Sequence, residues 1–596
     1  MEAGEGTSRV LKTVLCICFL LIAVALLLID RDSPATGYEL SLYDSVSVGV
    51  WICLVVVLGG GIGIIVHQAF AGQKSKYWLL GLFVLAFGIS VLLLLPTFKR
   101  YLLYGSDDTI AHAQFTDSVL VEHHLRESNK YPITHILMAQ VAQVCDVSPE
   151  ALVNKIPVFF TLLFMVSSYL LASAVMPRKR QALLAAGTIA LFFNYYHVCV
   201  YPQTLSIMTL PLLFYLYFKS RDGQSLPFRV AFVTMLFVFP FFHPAPAGVL
   251  VFCLLAAEAV KVLWRLRGMS SPAIPTALGD RITLEPTLIC SVTFLTWTSS
   301  WIIAHRTIQH LWYWLTGEIR SVPRVEQVEL LFETQSLGFS QQVQLGLKMY
   351  GHNLIFLSLT ALALLIVVWG FARRQEEIKK LSILSMSFLI SGPAWVLIFA
   401  TSLYVTVGRL LGANVMMWAA PVLAAFALFE VFGRWQRAGV IAVTSILTCA
   451  LVLGMFSIFH SPHILQPSWH LTRHEVSGTE WFFAHTNYAS RDKFAAFGVQ
   501  AAMANGLLSR SIPDHFGYTQ KDSLGQWYRQ SFFLLIGQRF RLSSTHPVLS
   551  TAVIADFRIA RTGFDQSDFQ RVEQDSSVAK LFSNGELDVY LARREG

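Results

Sequence analysis

Runs of about twenty apolar residues, separated by short polar links, recur along this chain. Each run is long enough to cross a hydrocarbon core of about 30 Å as a helix, so the pattern predicts about thirteen spans. They fall at 11–29, 47–68, 77–96, 151–176, 182–198, 204–218, 228–242, 246–264, 286–304, 352–371, 381–403, 408–431 and 438–458, with 204–218 and 228–242 the shortest. The first run reads as an anchor rather than a cleaved leader, because its apolar core is long and no small-residue cleavage site follows.

The links alternate in charge. Cations gather at Arg9 and Lys12, Lys74 and Lys76, Arg178 to Arg180, Lys219 to Arg229, Lys261 to Arg281, Arg373 to Lys380, and Arg434 with Arg437. The links between (NYYHVCVYPQ, FFHPAPAG, SLYVTV) contain no Lys or Arg. By the positive-inside rule the N-terminus is cytoplasmic and the C-terminus outside. The expectation is a polytopic α-helical membrane protein, with a cell membrane as its setting. Composition agrees: 54% of 596 residues are hydrophobic and 14% charged, against about 25% charged in soluble domains. The net charge of +8 follows from the same bias toward anionic membrane lipids and calls for no nucleic acid. Six of the eight cysteines lie within apolar runs, and no CxxC knuckle is present.

Three regions are expected: an N-terminal hairpin at 1–68, a transmembrane module at 69–459, and an outer mixed α/β domain at 460–596. The module carries two long outer loops, 97–150 and 305–350, the latter reading as amphipathic helix at the interface. In the last region SGTEWFFAHT offers Ser477 and Glu480 as a capping box. Further on, KLFSNGELDVYLA predicts a hairpin at Asn584–Gly585.

Chemistry concentrates in YGSDDTIAHAQFTD, at the start of loop 97–150. Asp107 and Asp108 sit just beyond a span, where a carboxylate suits general-base work toward a hydroxyl, helped by a low-dielectric site. Either could instead cap the helix that follows. His112 lies four residues after Asp108, on the same helical face. PITHILMAQVAQVC predicts a second helix, and two such helices on the membrane would shape a surface cleft.

This layout resembles the GT-C glycosyltransferases, the superfamily of protein O-mannosyltransferases, aminoarabinose transferases and oligosaccharyltransferases. The resemblance rests on the cytoplasmic N-terminus, the acidic GSDDTIAH after a span, two helices in that loop, a second long outer loop and an outer C-terminal domain. YPITHILMAQVAQ and YPQTLSIMTLPLL are similar to segments of poorly characterised archaeal members. The WWDYG motif of oligosaccharyltransferases is absent from this sequence. The resemblance implies inverting transfer of a sugar from a polyprenyl- or dolichyl-phosphate donor to a glycan, lipid or protein hydroxyl on the outer face. Asp108 or Asp107 would be the base, and members differ in using a divalent cation (Mg or Mn) at the leaving phosphate.

A lipid-linked donor needs an apolar groove and interfacial cations. Arg409, in TVGRLLGANV, can snorkel or bind phosphate, and Arg306, near His305 and His310, is a further cation. His243, His197, Tyr201 and Gln203 border the same surface, with Pro202 opening the next helix. The competing class is a transporter or flippase for lipid-linked saccharides, which predicts ionisable residues near the midplane; Glu258, near an inner span end, comes closest.

Overall fold

A computed structural model describes residues 2–71, 76–105, 107–188, 193–221, 226–266, 284–299, 338–391, 417–485, 494–497, 533–546 and 566–592, with isolated positions at 301–316 and at 549. These residues are mostly helical. Helices α1 (Glu2–Arg31), α2 (Val48–Ala71) and α3 (Tyr77–Leu93) lead to strand β1 (Leu103–Tyr104) and to two surface helices, α4 (Asp107–Glu122) and α5 (Pro132–Cys145). There follow α6 (Ile156–Val175), α7 (Lys179–Thr188), α8 (Pro202–Arg221), α9 (Leu226–Val238), α10 (Pro244–Leu266), α11 (Glu285–Thr298), α12 (Phe339–Ala372), α13 (Lys379–Ser391), α14 (Ala420–Phe432) and α15 (Gln436–Met455).

Among the described residues six helices are long and apolar enough to cross a membrane: Arg9–Arg31, Val48–Ala71, Pro149–Val175, Pro244–Leu266, Phe339–Ala372 and Gln436–Met455. Three shorter ones, Tyr77–Leu93, Leu226–Phe241 and Ala420–Phe432, are also apolar. Large apolar side chains such as Ile52, Phe83, Leu288 and Leu365 face outward, which is favourable against lipid and costly against water. The chain is an integral membrane protein. Small residues bring α2 and α3 together: a Cβ on Gly61 would lie 3.1 Å from the Gly81 carbonyl oxygen, the close approach that glycines permit between membrane helices.

Several segments differ from the pattern-based reading. The 182–198 run is helical over α7, then closes as a 3-10 turn at Tyr195–His197. The 204–218 run extends to 20 residues as α8, about 30 Å long, and it buries Thr204, Ser206 and Thr209 within the protein. Residues 339–350 form no separate interfacial helix. They continue into the following span as the single 34-residue α12, about 51 Å long, because no proline interrupts them. Most of 306–315, all of 317–337 and the 392–416 stretch lie outside the described residues.

Beyond α15 come β2 (His470–Leu471), α16 (Arg473–His485), β3 (Phe494–Phe497), β4 (Phe533–Gly537), α17 (Gln538–Thr545), α18 (Gln566–Gln574), β5 (Val578–Ser583) and β6 (Leu587–Ala592). The last four strands form one sheet in the order β3-β4-β6-β5, parallel between β3 and β4 and antiparallel elsewhere. The Asn584–Gly585 turn joins β5 to β6, with Gly585 at φ +86, a left-handed conformation that glycine adopts without strain. The expected capping box is displaced. Ser477 lies inside α16, and the cap is Thr472, whose Oγ1 accepts from the Glu475 backbone N–H at 3.0 Å; TRHE satisfies the same pattern five residues earlier.

Three segments distant in sequence meet on one face. β1 pairs antiparallel with β2, and Gly105 N–H donates to the Trp469 carbonyl at 2.8 Å. His470 is stacked between Tyr38 and Tyr101, at 4.7 and 4.0 Å between ring centroids. Buried Lys99 lies 3.2 Å from Glu39 and donates to the carbonyls of Ser33 and Ser45. Loop 30–46, loop 97–150 and the segment after α15 therefore share one side of the bundle.

Candidate functional site

The first surface helix, α4, starts at Asp107, so both aspartates occupy its first turn instead of preceding it as caps. Negative charge is favoured there by the helix dipole. Asp108 is exposed. The turn before the helix is tight: Gly105 has φ +152, and a Cβ there would meet the Thr109 side chain. The strand leading into it is held by buried Asn154, whose Oδ1 accepts from Tyr104 N–H while its Nδ2 donates to the carbonyls of Tyr104 and Val198.

One turn along the same face, His112 is buried and hydrogen-bonded into a chain. Asn129 Oδ1 accepts from the Tyr131 backbone N–H at 3.2 Å, which identifies that atom as the amide oxygen. It lies 2.7 Å from His135 Nδ1, so that nitrogen carries the proton and donates. His135 Nε2, 3.0 Å from His112 Nδ1, is then the acceptor of the His112 proton. Both imidazoles are neutral at neutral pH: burial lowers His112 to about 4, and burial with the neighbouring His112 lowers His135 to about 2. This tautomer leaves His112 Nε2 as a lone-pair acceptor, with no hydrogen-bond partner among the described residues.

Tyr131 connects this pair to a third imidazole. Its ring lies edge-on to His112 at 6.0 Å and stacks flat on His243 at 4.8 Å, with Trp301 edge-on at 6.2 Å. Burial and the Asp108 charge raise the Tyr131 phenol, which puts the exposed carboxylate within electrostatic reach of the cluster. His243 has the opposite hydrogen-bonding sense to His112. Its Nδ1 accepts from the Ala245 backbone N–H at 3.2 Å, so the neutral ring carries its proton on Nε2 and offers a donor. Burial, then His112, lowers it to about 3. It sits immediately before α10, whose first turn (Pro244, Ala245, Pro246) donates its one N–H to the His243 ring.

The other sequence-derived residues are placed differently. Buried His197 caps a 3-10 turn, its Nδ1 3.3 Å from the Asn194 backbone N, which is a structural role. Tyr201 packs among Tyr195 and Tyr196, and Tyr195 in turn stacks on His460 at 3.9 Å. Gln203 lies in the first turn of α8. Arg306, His310 and Arg409 lie outside the described residues. His135, Asn129, Tyr131 and Trp301 escaped sequence reasoning. KYPITH did carry a signal, since Pro132 starts a helix and places His135 in its first turn, but nothing local pairs that histidine with His112. Among the described residues no three His, Cys, Asp or Glu side chains cluster as metal ligands, and the lone pair of His135 Nε2 is taken up by the His112 Nδ1 proton. Among the described residues no ligand set for Mg or Mn is assembled.

No family model matches the chain, and no curated protein matches it. Among solved structures it is similar to the crystal structure of ArnT from Cupriavidus metallidurans bound to undecaprenyl phosphate, at 11% identity and a TM-score of 0.46. That match covers 87% of this chain and 98% of ArnT.

Proposed function

We propose that this protein is an inverting glycosyltransferase. It moves a sugar from a polyprenyl- or dolichyl-phosphate carrier to a hydroxyl of a glycan, lipid or protein acceptor at the outer membrane face. The reading takes the chain as about thirteen spans with a cytoplasmic N-terminus: a hairpin at 1–68, a catalytic module at 69–459 and an outer domain at 460–596.

The observation that carries it is the pairing of opposite hydrogen-bonding senses around Tyr131, beside an exposed carboxylate. Inverting transfer needs an acceptor for the attacking hydroxyl and a donor for the leaving phosphate. His112 Nε2 accepts a hydrogen bond, so it suits a substrate hydroxyl other than the attacking one and is unsuited to phosphate oxygen. His243 Nε2–H donates, which suits phosphate. In the proposed step the hydroxyl oxygen attacks the anomeric carbon, the bond to the phosphate oxygen breaks, and Asp108 takes the hydroxyl proton. Asp107 shares the turn and is the second candidate base; Arg409 and Arg306 are proposed as further phosphate contacts.

The test incubates purified protein with labelled polyprenyl-phosphate sugars and candidate acceptors, comparing wild type with Asp107→Asn and Asp108→Asn. Loss of about 10²- to 10⁴-fold in one variant, the range for a general base, is expected. Equal transfer by all three would refute the assignment, and scrambling of lipid-linked saccharide in liposomes, unaffected by either change, would favour the flippase.

A further inference from the structure

A second cluster lies away from the site just described, at the opposite ends of the helices that reach it. Helix α7 starts immediately after the Arg178 link, and α14 ends beside it. Between them is a cavity of about 540 Å³ lined by Arg178, Lys179, Arg180, Phe429, Glu430 and Arg434. Four cations thus face one carboxylate.

That carboxylate is already engaged. Glu430 Oε1 accepts from Gln181 Nε2 at 2.6 Å and lies 3.7 Å from the Arg178 guanidinium. Gln181 is fully buried and its own Oε1 accepts from the Arg178 backbone N–H at 3.1 Å. This wall of the cavity is therefore held in place by the fold. Lys179, Arg180 and Arg434 have no acidic partner among the described residues.

All four cations are exposed, so the cavity is open to a ligand from the surface. Lys179 and Arg180 occupy the first turn of α7, where no acidic residue is found. The positive end of a helix dipole repels them, so an anion there would relieve the dipole and the cations together. Cations drawn to a lipid surface by the positive-inside bias need neither a cavity nor a helix N-terminus. Basic pockets between membrane helices on the cytoplasmic side are suited to phosphate-bearing headgroups.

We infer that this cavity binds a phosphate-bearing anion, through Lys179, Arg180 and Arg434, on the face opposite the His112 site. The source is an anionic lipid headgroup or free phosphate, and the inference is independent of the proposed transferase activity.

The test titrates the full-length protein in neutral detergent with short-chain phosphatidylglycerol and, separately, with inorganic phosphate, reading stoichiometry and affinity by native mass spectrometry. One bound phosphate-bearing molecule per chain is expected. Each cation near a surface anion is worth about fivefold in affinity, so Arg180→Gln/Arg434→Gln should bind about 25-fold more weakly. Arg373→Gln/Arg374→Gln, on another cationic link, should bind as wild type, and Arg180→Lys/Arg434→Lys should retain binding. Tighter phosphatidylglycerol than phosphate identifies a lipid site, and equal affinities identify a phosphate site. The inference is overturned if neither probe binds at one per chain, or if the Gln pair, melting at the wild-type temperature without ligand, binds as wild type does.

Discussion

Replacing Asn129 with Leu tests whether the polarity of the site is set two residues away from it. Asn129 is 4% exposed and its Oδ1 receives hydrogen bonds from His135 Nδ1 and Tyr131 N–H. If both histidines kept their tautomers, Asn129→Leu would orphan two buried donors, at roughly 1–3 kcal/mol each. Moving the His135 proton to Nε2 turns the orphan at Nδ1 from a donor into an acceptor, so Asn129 no longer holds the tautomer and the swapped form becomes accessible. His135 then donates to His112 Nδ1, and His112 must present Nε2–H. The atom facing substrate changes from acceptor to donor. Facing a hydroxyl that must be accepted, this loses a hydrogen bond and leaves polar groups opposed, about 1–3 kcal/mol, or roughly 10- to 100-fold in kcat/KM. Asn129→Asp keeps the acceptor and hence the tautomer, so it should transfer sugar far better than Asn129→Leu, with the acid limb of its pH profile moved to higher pH. Histidine ¹⁵N shifts in labelled protein read the tautomers without any turnover. The reasoning fails if Asn129→Leu matches wild type in kcat/KM, or if its His112 still carries the proton on Nδ1.

Other perturbations have equally definite outcomes. His243→Phe keeps the stack on Tyr131 but removes the Nε2–H donor, so donor KM should rise or kcat fall about tenfold with little change in melting temperature, about one hydrogen bond's worth; an unchanged rate would remove His243 from the phosphate. Glu39→Gln leaves Lys99, buried against loop carbonyls, without its counter-charge, and should destabilise by about 3–5 kcal/mol in denaturation assays. Asn154→Leu unpairs the backbone of Tyr104 and should lower melting temperature and transfer together, whereas a loss of transfer alone would contradict its scaffolding role. Stability should fall as pH drops from about 6.5 toward 4, because His112, His243, His460 and His470 are held neutral by burial, at about 3 to 4. The unfolded chain binds those protons first, so stability is full above the unfolded value and is lost as the folded values are approached. Buried Glu586, whose proton affinity is raised, works in the opposite direction, and a melting temperature that rises steadily on acidification would show that it prevails.

The sequence made the spans legible where length and hydropathy coincide, as in Val48–Ala71 or Gln436–Met455, because bilayer thickness acts on every residue of the run. It was less informative for α8, whose Thr204, Ser206 and Thr209 are polar by composition yet buried against protein. At the site, the four-residue spacing of Asp108 and His112 could be read directly, since helical periodicity is local. The partnership of His112 with His135 could not, because two separate helices must pack before those rings meet. Nor could the donor sense of His243, which is fixed by the Ala245 amide at the start of α10. The capping motif was misplaced for a related reason: SGTE and TRHE both fit the pattern, and only the backbone shows which one begins the helix.

In the proposed reaction the segment after α15 has a positioning part without lying in the site. β2 pairs with β1 two residues before the first turn of α4, and His470 is clamped between Tyr38 and Tyr101 on the same strand's other side. The turn at Gly105, where a Cβ would meet the Thr109 side chain, keeps that strand pair close to the first turn of α4. Loop 30–46, the strand β1 and the segment after α15 therefore hold the start of α4, while α5 and Asn129 fix which nitrogen of His112 is bare. Position and proton inventory are set by different parts of the chain. A change at the β1–β2 pair should move the carboxylate and leave the histidine tautomers intact, and a change at Asn129 should do the reverse.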